Sequence, residues 1–203
     1  MTNIELVEET LRIGRSTLSL LRPRDPEALL DEEAFAPDEF LPYWAELWPA
    51  SLALARALPV RLEGSRVVEL GCGLGIPSLV AAQRGADVVA VDWAEEAGAL
   101  LHRNSLRNGV SLTIVVADWR SFSGGTFDVA LAADVLYEQR NVHPLLDLLP
   151  RIAPEVLLAT AGRPYEQEFL RRARGPWLVD EVAERVHRLT RAAPEEPLAR
   201  GDT

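Results

Sequence analysis

Residues 67–75 read VVELGCGLG, and the chain continues as IPSLVAAQRGA. The branched apolar run has the composition of a buried strand, and IPSLVAAQ, with its early proline, has that of a helix start. Between them stand glycines at 71, 73 and 75. A strand that turns at once into a helix needs residues tolerant of positive φ. Positions without a Cβ also let the backbone touch a ligand. The spacing is not the G-x-G-x-x-G of a dinucleotide site. The third glycine comes one residue early, and Ile76 stands where a dehydrogenase has glycine. A nicotinamide-dependent oxidoreductase is therefore disfavoured.

From Val67 onward strand and helix patterns alternate, which implies a parallel sheet. Strands are predicted over 66–70, 87–91, 112–117, 127–132 and 156–160, with helices over 76–84, 94–108, 142–152 and 165–174. The strands are apolar almost throughout, as in a sheet covered on both faces. A last extended segment, 177–190, closes the sheet. Ahead of this core, Leu11, Ile13, Leu18 and Leu20 alternate around Gly14-Arg15, a hairpin pattern. Asp25-Pro26 starts a short helix through Asp31, and an acidic loop follows (Asp31, Glu32, Glu33, Asp38, Glu39). Pro49 opens a further helix with an apolar stripe of Leu52, Ala55 and Leu58. The expected organisation is one domain over 1–203. It comprises the hairpin and acidic loop (1–41), a ligand-binding core (42–191) and a polar tail (192–203).

Net charge is −10 and the pI about 4.9. A nucleic-acid binder rests on a basic face, and no such excess exists here. An amine or a basic protein segment suits the balance better, although acidity also serves solubility alone. Cys72 is the one cysteine, so no internal disulfide forms and a cytoplasmic protein is expected. No secretory pattern and no apolar run of membrane-spanning length is visible. No membrane association is expected, and the expected state is a monomer. All 21 basic residues are arginine.

Glu69-x-Gly71-x-Gly73-x-Gly75 has the acid-x-G-x-G-x-G form of S-adenosylmethionine sites. Two further segments add to it: PYWAELWPASLALARAL over 42–58, with a W-x-x-x-W-P entry, and AADVLYE over 132–138, with a D-x-x-Y. Together they resemble the seven-strand protein-lysine methyltransferases of the nicotinamide-methyltransferase-like group, over roughly residues 40–190. The resemblance implies a class I, Rossmann-like, doubly wound α/β fold. Its seven-stranded sheet would be mostly parallel, with the hairpin and short helix as an N-terminal extension. It also implies an S-adenosylmethionine-dependent N-methyltransferase that releases S-adenosylhomocysteine. A protein lysine is the leading acceptor, a small amine the alternative, and a non-catalytic S-adenosylmethionine-binding protein a third reading.

By the same resemblance Gly71, Gly73 and Gly75 pass beneath the methionine and ribose parts of the cofactor, and Glu69 lies near its amino group. Asp92 accepts the ribose hydroxyls, a task suited to a planar group with acceptors only. Asp118 and Trp119 bracket the adenine, while Trp44 and Trp48 roof the cleft. Asp92 and Asp118 would serve equally as helix or turn caps, Trp48 as core, Trp44 in a substrate groove and Glu46 as a solvated side chain. Asp134 and Tyr137 are the expected catalytic pair. The carboxylate binds and orients the acceptor amine, and the tyrosine offers a ring face or a hydroxyl. Glu138 adds charge at the rim. A strand-end cap and a core tyrosine are the plain alternative. Bacterial relatives often carry Asp-Pro-Gly-Arg-Pro after the fifth strand, whereas this chain has Thr160, Ala161, Gly162, Arg163 and Pro164. The histidines at 102, 143 and 187 are scattered, and no spacing suggests a metal site.

Overall fold

A computed structural model describes residues 5–29 and 43–192. The chain begins with strands β1 (Leu6–Ile13) and β2 (Ser16–Pro23), which pair antiparallel around Gly14 and Arg15. Helix α1 (Pro49–Ala57) follows. Then come β3 (Arg66–Leu70), α2 (Ile76–Gln83), β4 (Asp87–Asp92), α3 (Glu95–Arg107), β5 (Thr113–Val116), β6 (Val129–Ala133), α4 (Val142–Ile152), β7 (Glu155–Ala159) and α5 (Pro164–Ala173). The chain finishes with β8 (Trp177–Ala183) and β9 (Val186–Arg191). Seven strands form one sheet in the order β5-β4-β3-β6-β7-β9-β8. The first five are parallel, and β9 runs antiparallel to both β7 and β8. The expected fold class is the observed one.

The continuous apolar strands are explained by two cores. Val67 of β3 and Leu157 of β7 point into a cluster built with α1, α2, α3 and the hairpin. Their neighbours Val68 and Leu158 point into a second cluster built with α4 and α5. Successive strand side chains face opposite ways, so a sheet packed on both faces needs apolar residues at both parities.

Two expectations need correction. The segment 177–190 is two strands, not one. No Gly, Pro or Asn marks the turn between them. Arg185 adopts φ +55, and its backbone N–H donates to Glu181 Oε1 at 2.9 Å, so side-chain chemistry replaces the usual turn residues. As far as the described residues go, the expected helix from Asp25 is a 3-10 turn over Glu27–Leu29, started by Asp25 Oδ1 accepting from Glu27 N at 3.0 Å, and its expected end at Asp31 lies outside them. In α1 the expected stripe faces the core: Ala55 and Leu58 are buried, Leu52 packs against the same cluster half-buried, and Leu54 joins them. The acidic loop, the start of the W-P segment at Pro42 and the tail beyond 192 lie outside the described residues.

The hairpin is fastened by two asparagines four residues apart, one in the last turn of α3 and one capping its C-terminus. Asn104 accepts from Leu21 N at 2.8 Å and donates to Leu21 O at 3.0 Å. Asn108 does the same for Ser19, at 2.9 and 2.8 Å. Each primary amide thus imitates a backbone amide and completes the free edge of β2. Asn104 is fully buried, so truncating it strands two backbone groups. Asn104→Ala is expected to cost about 1–3 kcal/mol, a fall in Tm of roughly 3–10 °C for a chain of this size. Half-buried Asn108→Ala should lose less, and thermal unfolding of the pair checks the ranking.

Candidate functional site

The strand order reverses between β3 and β6, and ligands of open α/β sheets bind beyond the carboxyl ends of strands at such a point. A cleft of about 440 Å³ lies there. On its floor the chain leaves β3 through Gly71 (φ +64) and Gly73 (φ +50), and it enters α2 through Gly75 (φ +70). A Cβ on Gly71 would come within 3.2 Å of Val135 and 3.8 Å of Trp119, both in the cleft wall. One on Gly73 would meet the Trp44 carbonyl at 3.1 Å. Gly75 does not line the cleft. Its missing Cβ makes room for Leu101, which would lie 2.3 Å away, so this glycine sets how closely α2 packs on α3.

Glu69, the last polar residue of β3, is buried and lines the cleft. One of its oxygens accepts from Ser78 N at 2.9 Å and from the Ser78 hydroxyl. Burial pushes its carboxyl up to about 8, against the downward pull of the Ser78 hydrogen bonds. Asp92, at the end of β4, is also buried and lines the cleft. One oxygen accepts from Gly73 N at 2.7 Å, the other from Ala94 N at 3.1 Å. It is therefore both a brace for the glycine loop and a group facing the cavity. Burial raises its carboxyl above the usual range. Cys72 lies in the same loop, its thiol pushed well up by burial.

Trp119 forms a buried side wall. Asp118 is set back from the main cleft, beside a smaller recess of about 130 Å³ that it shares with Trp93, Trp119 and Tyr137. Its carboxylate accepts from Arg120 N at 2.9 Å and holds the Arg120 side chain. Trp44 and Trp48 cover the cleft, and Glu46 stands exposed at its rim. The Trp48 indole donates to Tyr43 O at 2.7 Å. The Tyr43 ring lies 5.4 Å from that of Tyr137 and 6.1 Å from that of Trp48. The phenol of Tyr137 is pushed up by burial and by neighbouring Glu138, which keeps it a donor at neutral pH.

Asp134 directly follows β6 and takes φ +52, rare for a residue with a side chain. It is buried, and both its oxygens are engaged by one partner. Arg163 Nε and Nη2 each donate to it at 2.9 Å, a two-pronged fork. The same guanidinium carbon stands 5.9 Å from the Trp48 ring centre. Arg163 is set by Glu166, whose two oxygens accept from Ala161 N at 2.7 Å and Gly162 N at 2.9 Å. Arg163, Glu166 and Tyr43 are site residues that sequence reasoning passed over. An acid two residues into a helix opened by Pro164 is a visible capping signal; its long-range consequence is not. Among the described residues no group of three His, Cys, Asp or Glu side chains is placed to hold a metal.

A family model described as a methyltransferase domain matches residues 67–153. The chain is 32% identical over 131 residues to the electron transfer flavoprotein beta subunit lysine methyltransferase of Xenopus laevis, covering 60% of this chain and 53% of that protein. It is 31% identical over 154 residues to the protein N-lysine methyltransferase METTL21A of Danio rerio, covering 68% and 70%. The chain thus spans about half the length of the first relative and over two thirds of the second. Among solved structures it is similar in fold to the 16S rRNA N2 G1207 methyltransferase RsmC of T. thermophilus, in complex with AdoMet and guanosine. That match has a TM-score of 0.66 at 20% identity and covers 92% of this chain and 51% of that one.

The two kinds of glycine should separate on substitution. Gly75→Ala forces a Cβ into Leu101 at a left-handed φ and is expected to cost roughly 3 kcal/mol or more. Gly71→Ala should cost the fold only about 1–2 kcal/mol yet weaken binding of a ligand in the cleft about tenfold or more. Thermal unfolding and calorimetry on the two variants test the division.

Glu69 makes a prediction about pH. Its carboxyl titrates near 4.5 when unfolded and about 8 in the fold. Between those values the folded chain keeps a proton that the unfolded chain has lost, so this residue's contribution to stability falls as pH rises. Glu69→Gln should therefore gain stability relative to the unsubstituted protein on going from about pH 5 to about pH 8. Denaturant melts of the ligand-free proteins at both ends of that range measure the difference.

Proposed function

The chain belongs to the class I S-adenosylmethionine-dependent methyltransferases, in the group that contains the protein-lysine methyltransferases, and from that membership we propose that it methylates the side-chain amine of a lysine on a partner protein. One observation supports this reading above the rest. A single cleft joins a floor of glycine backbone and buried acids to a mouth of Asp134, Tyr137, Tyr43 and Trp48.

The floor and walls fit the cofactor. Glu69 is a buried acid suited to an ammonium, and Asp92 keeps acceptor capacity beyond the two amides it holds. Gly71 and Gly73 present bare backbone, Trp119 supplies an apolar face for a base, and Asp118 stands at the recess beyond it. Trp44 and Trp48 would cover the ligand. Gly75 would act through the packing of α2 rather than by contact. When bound, S-adenosylmethionine supplies the activated methyl group.

The acceptor side carries the remaining work. A free lysine amine, with pKa near 10.4, is almost wholly charged at pH 7, and presenting it neutral costs about 4–5 kcal/mol. Tyr43, Tyr137 and Trp48 offer ring faces that attract the arriving ammonium and then exclude water from it. The Asp134 carboxylate accepts an N–H of the amine and so aims its lone pair. The proton leaves to water. Net charge −10 and a rim carrying Glu46 and Glu138 favour a basic target segment. The same proposal places the protein in the cytoplasm as a monomer, in keeping with its one buried, unpaired cysteine.

Methyl transfer from labelled S-adenosylmethionine into a cell lysate, resolved into protein and small-molecule fractions, tests the reading. The chain has no lysine, so none of the methyl-lysine recovered can come from its own side chains. The expected result is a discrete labelled protein that yields methyl-lysine on hydrolysis. Asp134→Ala should abolish that label while S-adenosylmethionine affinity stays within about threefold. Label confined to small molecules would replace the acceptor by a small amine. Unchanged turnover in the variant would remove Asp134 from the chemistry.

A further inference from the structure

The Arg163–Asp134 fork bears on how an amine is presented at this cleft. A lone carboxylate beside an amine has two opposed effects. It attracts and orients the group, but it raises the amine's pKa and so holds it in the charged form, which has no lone pair to react. In this chain the carboxylate is not alone. Both Asp134 oxygens lie 2.9 Å from Arg163 nitrogens. The pair is also braced from both sides: Asp134 is buried at the strand end, and the loop carrying Arg163 hangs from Glu166.

Resting on the lysine reading above, we propose that Arg163 is a positioning residue for the acceptor, neutralising Asp134 so that this carboxylate hydrogen-bonds and aims the incoming amine without trapping it as an ammonium. Arginine stays protonated at every working pH, so the neutralisation is permanent. Each carboxylate oxygen has two lone pairs, and the fork takes one from each, leaving capacity for an N–H of the acceptor. The guanidinium is itself a cation at the mouth of the cleft, and a like charge nearby favours the neutral form of a second basic group.

The other charged groups facing this place leave that balance standing. Glu46, ahead of α1, is at the exposed rim, where solvent screens it. Glu138, after β6, is paired with Arg140. Glu166 of α5 is occupied by two loop amides. Tyr43 and Tyr137 are phenols, and burial keeps Tyr137 protonated. Glu69, Asp92 and Cys72 line the same cleft on or beside the glycine loop, where Asp92 is held by the Gly73 and Ala94 amides and Glu69 by Ser78. Asp134 is thus the anion that meets the amine, and Arg163 is its counter-ion.

The test compares the unsubstituted enzyme with Arg163→Gln, which retains one donor to Asp134 but not the charge. The acceptor is a synthetic peptide spanning the lysine labelled in the lysate experiment, assayed from about pH 6 to about pH 10. We expect the acid limb of kcat, which reports the bound amine, to move up by roughly one pH unit in the variant. The loss should be about tenfold at neutral pH and small at the alkaline end. A second peptide carries S-aminoethylcysteine in place of that lysine. Its amine is less basic, so it should restore much of the variant's neutral-pH rate. Calorimetry should show S-adenosylmethionine affinity within about twofold of the unsubstituted enzyme. An equal loss at every pH and with both peptides would overturn the proposal in favour of a merely structural arginine, and an unchanged profile would overturn it outright. Failure of the lysine reading looks different: no lysine is labelled by the unsubstituted enzyme, and both ideas fall together.

Discussion

The carboxylate of Asp92 accepts from Gly73 N with one oxygen and from Ala94 N with the other. Two loops that leave neighbouring strands, β3 and β4, are thereby tied to one rigid group. The middle amide of the glycine loop is committed to Asp92. Helix α3 in turn starts where that group ends. The packing of α3 on α2 then sets the demand at Gly75, where Leu101 fills the place of a Cβ. The same α3 carries Asn104 and is capped by Asn108, and these two hold the hairpin. A cleft floor, a helix packing distance and the seat of the N-terminal extension therefore share one origin. Burying that carboxylate is costly, and the raised titration of Asp92 is the sign of it.

Much of this was legible in the chain because it is local. Arg66–Leu70 and Val142–Ile152 have the bounds that periodicity and turn residues assign them. Pro49 and Pro164 open their helices, as proline does where no N–H is required. Asp92 and Trp119 line the cleft because each stands at or just past the carboxyl end of a strand, and end-of-strand position can be counted along the sequence. Where local signals were weak the reading erred. The turn between β8 and β9 has no glycine, proline or asparagine. It is built by an arginine in a left-handed conformation and a glutamate that accepts its amide.

What stayed hidden is pairing across the fold. Asn104 and Leu21 are 83 residues apart, and nothing in either neighbourhood announces a primary amide acting as a strand edge. Arg163 and Asp134 are separated by 29 residues and two elements. The parallel strands β6 and β7 bring their ends side by side. Asp134, just past β6, then meets the loop after β7, where Glu166 aims the arginine. The run Thr160 to Pro164 reads in sequence as a lost acid. In the fold the same loop supplies a cation to an acid on the neighbouring strand.

The choice of base at position 163 follows from the same geometry. A lysine there would reach Asp134 as a single point charge, without the planar fork that fixes both carboxylate oxygens. Its amine would also lie in the cleft where, in the proposed function, the acceptor amine reacts. Lysine loses its proton readily in a dry site, so it would be a competing nucleophile as well as a poorer brace. Arginine has neither defect: its charge is permanent and delocalised, and its plane packs toward the Trp48 ring. The whole chain carries no lysine, and at this position the exchange of arginine for lysine would change the chemistry. In this structure charge at the mouth of the cleft is supplied by a group that cannot lose its proton, so an acceptor's protonation becomes the variable one.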